Sequence, residues 1–98
     1  MKVTYKDAPM ENSMFSVSAD EVAGSATFKA YIDGNLIWQH ECPDPPCHEQ
    51  IRIPPKIAGS TFLLEVADSR EQQELTFFIN DDGRGLAQPP RVKEFQIA

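Results

Sequence analysis

Apolar and polar side chains alternate with a period of two through most of this chain, which is the pattern of half-buried β-strands. Met1, Val3 and Tyr5 alternate with Lys2, Thr4 and Lys6 in a first strand, and Phe15 and Val17 alternate with Ser16 and Ser18 in a second. The polar residues 20–24 then read as a turn. Ala26, Phe28, Ala30 and Ile32 form the apolar set of a third strand, and Leu36, Trp38, His40 and Cys42 that of a fourth. A three-residue loop over 33–35 sets Ile32 against Leu36, Ala30 against Trp38 and Phe28 against His40. Both apolar sets then share one face, which a plain two-residue loop would not allow.

Ile51 and Ile53 mark a fifth strand, stopped by Pro54 and Pro55. A second hairpin follows, with Phe62, Leu64 and Val66 on one arm and Leu75, Phe77 and Ile79 on the other. A four-residue loop over 69–72 pairs Val66 with Leu75, Leu64 with Phe77 and Phe62 with Ile79. The segment 80–90 is rich in turn residues, and a last strand is expected over 92–97, with Phe95 and Ile97 on one side. About seven short strands in 98 residues predict an all-β fold: a small antiparallel sandwich, immunoglobulin-like or fibronectin-like, in one domain spanning 1–98.

Residues 57–68, with Ile57, Gly59, Phe62, Leu64, Val66 and Asp68, resemble the strand–turn–strand passage of bacterial immunoglobulin-like modules. The resemblance implies the fold class and carries no activity, because sandwiches host many unrelated functions.

Eight prolines, several of them at 43–46, 54–55 and 89–90, punctuate short strands and argue against long helices. A formal charge of −6 argues against nucleic acid and anionic membranes as partners, since both are bound through basic surface. No run of 18 apolar residues offers a membrane-spanning helix. A cytoplasmic location is expected if Met1 is the natural start, and a periplasmic or extracellular one if the chain was cut from a longer precursor.

Candidate chemistry concentrates between His40 and His48, where two thiols and two imidazoles fall within nine residues. Three readings stand open. Cys42 and Cys47, facing each other across a four-residue loop, could close a disulfide. They could remain free thiols in a reducing compartment. With His40 they could hold a soft or borderline metal, although the spacing matches no common zinc module. In that local hairpin His40 and Glu49 share the cysteines' side and His48 points away. His40 itself is expected in the core beside Phe28 and Trp38, bonded to Glu49.

Residues 80–85 have oxygen ligands near glycines but lack the alternating carboxylates of a calcium loop, so they read as a turn. Serine, cysteine, histidine and carboxylate stand at no spacing that marks a hydrolase, so no enzyme and no cofactor are expected.

Two outward pairs complete the pattern. Leu63 falls opposite Phe78, and Tyr31 opposite Ile37, on the side away from the core. Either another strand covers them or they form a contact surface for a protein. The expectation is a non-enzymatic protein-binding domain: a small adaptor, an inhibitor or a module of a larger assembly. Homodimerisation is compatible with it. The alternative is a small metal-binding or redox-responsive protein using His40, Cys42 and Cys47.

Overall fold

The computed structural model of the chain describes residues 1–83. Seven strands run in chain order: β1 (Lys2–Tyr5), β2 (Ser13–Asp20), β3 (Ala26–Ile32), β4 (Asn35–Cys42), β5 (Cys47–Ile53), β6 (Thr61–Ala67) and β7 (Gln72–Phe78). They form two antiparallel sheets, one of three strands in the order β1-β2-β5 and one of four in the order β4-β3-β6-β7. The expected all-β sandwich is thus present. The strand expected over 92–97 lies outside the described residues.

The core lies where the inward rows of the two sheets meet. Phe15, Val17, Ala19, Ile51 and Ile53 come from the three-stranded sheet, and Ala26, Phe28, Ala30, Phe62, Leu64 and Val66 from the other. Phe15 and Phe62 meet edge to face across the interface at 5.3 Å between centroids. Alternation explains which side each residue takes, because a strand presents successive side chains to opposite faces.

The first hairpin corrects the expected loop. Phe28–His40 and Ala30–Trp38 pair as expected, but the register shifts between Ala30 and Tyr31. Beyond that shift Tyr31 faces Leu36 and Ile32 faces Asn35, so the loop is the two-residue Asp33-Gly34. Both turn residues have positive φ, 50° and 85°, the conformation a tight hairpin turn requires and an Asp-Gly pair supplies. Ile37 is the extra residue in β4. The bulge absorbs the mismatch between the turn and the apolar register, and it removes the expected Tyr31–Ile37 pair.

The second hairpin is displaced by two residues. Val66 pairs with Gln73, Leu64 with Leu75 and Phe62 with Phe77, so the loop is 68–71. A shift of two leaves every side chain on its own face, so alternation alone does not distinguish the two registers. Turn chemistry does. Asp68 Oδ1 accepts from the amides of Arg70 (2.8 Å) and Glu71 (2.9 Å), which fixes the turn's first residue. Leu63 therefore faces Thr76 and Phe78 faces Thr61, which corrects the expected Leu63–Phe78 pair.

Residues 57–60 form a turn ahead of β6 rather than a strand. It is closed by the Ser60 amide donating to the Ile57 carbonyl and pinned by Glu11 Oε1, which accepts from the amides of Ile57 and Ala58.

Candidate functional site

Three places carry chemistry or unusual exposure. The first is the end of the sandwich where the chain crosses between sheets. β4 ends at Cys42 in the four-stranded sheet and β5 begins at Cys47 in the three-stranded one. The two cysteines are at disulfide distance, with Cα atoms 6.1 Å apart and both side chains buried in the core. The bridge thus joins opposite sheets, which corrects the expectation of a hairpin within one sheet. Strand pairing explains it: β4 hydrogen-bonds to β3, and β5 to β2.

The cross-sheet arrangement also resets His40. Its side chain is 52% exposed, stacks on Trp38 with ring centroids 6.0 Å apart, and puts Nε2 3.6 Å from Glu49 Oε2. Glu49 stands near His40 as expected but beyond hydrogen-bond reach, and the expected burial is not found, because β4 is an edge strand open on one side. Paired sulfurs present no thiolate, so the His40, Cys42 and Cys47 set would need the bridge reduced before it could bind metal.

His48 points outward from β5, as the local alternation requires. Its Nδ1 lies 2.8 Å from the Ser18 hydroxyl on β2, its cross-strand neighbour. The pair sits in a shallow depression with Thr4, Tyr5, Lys6 and Ser16. Among the described residues no carboxylate hydrogen-bonds the other ring nitrogen. Sequence reading missed this pair because Ser18 and His48 are 30 residues apart and meet only through the β2–β5 register.

The second place is acidic. Glu11, Asp81 and Asp82 bring carboxylate oxygens within 4.8 Å of one another. Glu11 already holds the 57–58 amides, and Asp81 Oδ1 accepts from the Gly83 amide at 2.7 Å. This local contact belongs to the expected turn over 80–85, of which residues 84–85 lie outside the described residues.

The third place is the outer face of the four-stranded sheet. One transverse row reads Leu36–Tyr31–Leu63–Thr76 across β4, β3, β6 and β7. Phe78, one pleat further along β7, is 73% exposed, Leu36 51% and Ile37 40%, while Tyr31 and Leu63 are half-buried. The two hairpins thus contribute apolar side chains to the same face, with Tyr31 directly opposite Leu63. Leu36 joins it through the bulge at Ile37, which sequence reading missed. The signal was the Asp33-Gly34 dipeptide, whose preferred turn is incompatible with an unbulged strand.

The adjoining row is Gln39–Lys29–Glu65–Glu74. Tyr31 links the two rows, its hydroxyl donating to Glu65 Oε1 at 3.3 Å. Loss of hydration pushes the Tyr31 phenol above its ordinary pKa, and the negative charges of Glu65 and Glu74 add to the shift. The patch therefore borders a negative field.

Comparison with models of known families, with curated proteins and with solved structures brings no match, so the reading of this surface rests on its own geometry.

Proposed function

We propose that the chain is a non-enzymatic protein-binding β-sandwich domain, working as a small adaptor, an inhibitor or a module of a larger assembly. The observation that carries the reading is Phe78, a large apolar side chain left 73% exposed on the same sheet face as Leu36, Tyr31 and Leu63 and one pleat from their row. Apolar side chains gathered on one sheet face favour contact with another surface, because covering them releases ordered water. The division into three plus four antiparallel strands supports an immunoglobulin-like or fibronectin-like arrangement.

The test places a photo-crosslinking residue at Thr76, which is exposed beside Leu63, and compares the chain with and without Phe78→Glu. A cross-link to a discrete protein that disappears in Phe78→Glu, while circular dichroism stays unchanged, supports the reading. A cross-link to a second copy of the chain identifies a homodimer. An unfolded Phe78→Glu, or cross-links indifferent to it, overturns the reading.

A second reading is a redox-responsive protein, favoured by the Cys42–Cys47 pair at disulfide distance between the sheets. It expects the thiols to cycle at physiological potentials and partner affinity to change with them. Alkylation of both cysteines in freshly lysed cells under acid quench supports it, and a pair that stays blocked at every glutathione ratio overturns it.

A further inference from the structure

Resting on the protein-binding reading, we infer that the partner presents an extended segment with a large apolar side chain two residues from a lysine or arginine. The apolar group is received by Tyr31, Leu63 and Phe78, and the cation by Glu65 and Glu74.

Glu65 and Glu74 are directly opposite each other on neighbouring strands, an arrangement of like charges that works against the sheet. Lys29 lies opposite Glu65 on the other side, yet neither glutamate takes part in an ion pair among the described residues. Tyr31 donates one hydrogen bond to Glu65, and Gln72 Nε2 donates one to Glu74 at 3.2 Å. With only these neutral donors and no close ion pair, a cation arriving between the two carboxylates would relieve the repulsion and gain attraction from both.

Leu63 and Glu65 are two residues apart on β6, as are Thr76 and Glu74 on β7, so the apolar and acidic rows lie one pleat apart, roughly 7 Å. An extended segment along the face offers successive same-side groups at the same interval, so an apolar residue and a cation separated by one residue match both rows. The charge pattern also sets rival occupants apart. A second copy brings the same carboxylates toward each other and adds to a formal charge of −6, which disfavours face-to-face dimers. The chain's own residues 91–97 carry Arg91 and Lys93 ahead of Phe95 and Ile97. That segment carries the same groups, so Arg91 and Lys93 are changed in the test to tell it from an external partner.

The experiment titrates the full ¹⁵N-labelled chain with the acetylated peptide Thr-Lys-Thr-Lys-Thr-Phe-Thr-Leu and with its glutamate-for-lysine counterpart. The lysine peptide is expected to shift the amides of Tyr31, Leu63, Glu65, Glu74 and Phe78. It should bind at least tenfold more tightly than the acidic peptide at low salt, and lose that advantage in 0.5 M NaCl. Glu65→Gln with Glu74→Gln should erase the tenfold preference while leaving the remaining amide pattern in place. If the preference survives that double substitution, or never existed, while Phe78→Ser still weakens both peptides, the cation seat is overturned and the protein-binding reading stands. If Phe78→Ser affects neither peptide, both fall. A lysine peptide that binds only after Arg91→Glu with Lys93→Glu in the full chain identifies the chain's own segment as the occupant and overturns an external partner.

Discussion

Asp68 Oδ2 accepts the backbone N–H of Ala23 at 2.9 Å, so the β6–β7 turn is fastened to the β2–β3 turn by one carboxylate. Ser69 reinforces the clasp from its amide and hydroxyl, both donating to the Ala23 carbonyl. With the Arg70 and Glu71 amides on its other oxygen, Asp68 is held down to about 2, the Ala23 amide contributing most. A carboxylate depressed from 3.8 in the folded state stabilises the fold above that pH and stops doing so as pH falls through about 2. Urea denaturation of the chain and of Asp68→Asn should therefore show the substitution destabilising at pH 7. The gap should narrow between about pH 4 and pH 2. A gap that stays constant across that window would mean the charge is irrelevant to the clasp.

The cysteines tie together two edge strands that share no backbone hydrogen bonds. A bridge closing a loop of about six residues stabilises by about 2 kcal/mol on the chain-entropy account. Reduction, or Cys42→Ala with Cys47→Ala, should lower unfolding free energy by about that amount, with the far-ultraviolet spectrum retained. The inter-sheet packing of Phe15, Phe28 and Phe62 should then hold the fold without the bridge. Complete unfolding on reduction would show that the core is inadequate alone.

What was legible in the sequence followed from period-two alternation, which marked the seven strands and the inward faces of β2, β3 and β6 but not those of β4, where Leu36 turned outward and His40 stayed exposed. Phe28, Phe62, Leu64 and Val66 all point inward as their alternation required. What alternation does not encode is anything unchanged by a shift of two, and the β6–β7 register slipped by that amount until the hydrogen bonds of Asp68 fixed it. Nor does it say which neighbours in sequence separate into different sheets. Cys42 and Cys47, five positions apart, resemble a hairpin locally, and only the choice of β3 and β2 as partners places them on opposite sheets. The apolar outer residues Tyr31, Ile37, Leu63 and Phe78 were recognisable singly. Their assembly with Leu36 depended on a bulge and a β3–β6 pairing of distant segments.

Gly34 has φ 85° in the Asp33-Gly34 turn, a conformation that costs an L-residue roughly 1 kcal/mol. No atom outside the glycine and its chain neighbours lies within 4 Å of where a β-carbon would stand, so Gly34→Ala meets backbone strain without a clash. Stability should drop by about 1 kcal/mol in thermal or urea unfolding. The Asp33 carboxylate, which accepts the Thr61 amide at 2.9 Å, should keep the turn anchored to β6. A neutral Gly34→Ala would indicate the three-residue loop instead.

Phe77 and Phe78 are adjacent in sequence and opposite in role, and their contrast tests the β6–β7 register directly. Phe77 packs inward against Phe15 and Phe62, with ring centroids 5.6 and 6.4 Å away, and meets Tyr5 at 5.0 Å. Truncating a fully buried phenylalanine costs roughly 3–5 kcal/mol, and Phe77, being only partly buried, should cost about 2 kcal/mol on change to alanine. Phe78→Ala removes a side chain already in water and should change stability by no more than about 0.5 kcal/mol. Measured side by side by urea denaturation, a large loss at Phe77 with none at Phe78 supports the face assignment. The same result licenses Phe78 variants as probes of binding, since any loss of association then arises at the surface. Equal losses at both positions would mean that something covers Phe78 in the folded chain, and the contact surface would have to be sought elsewhere.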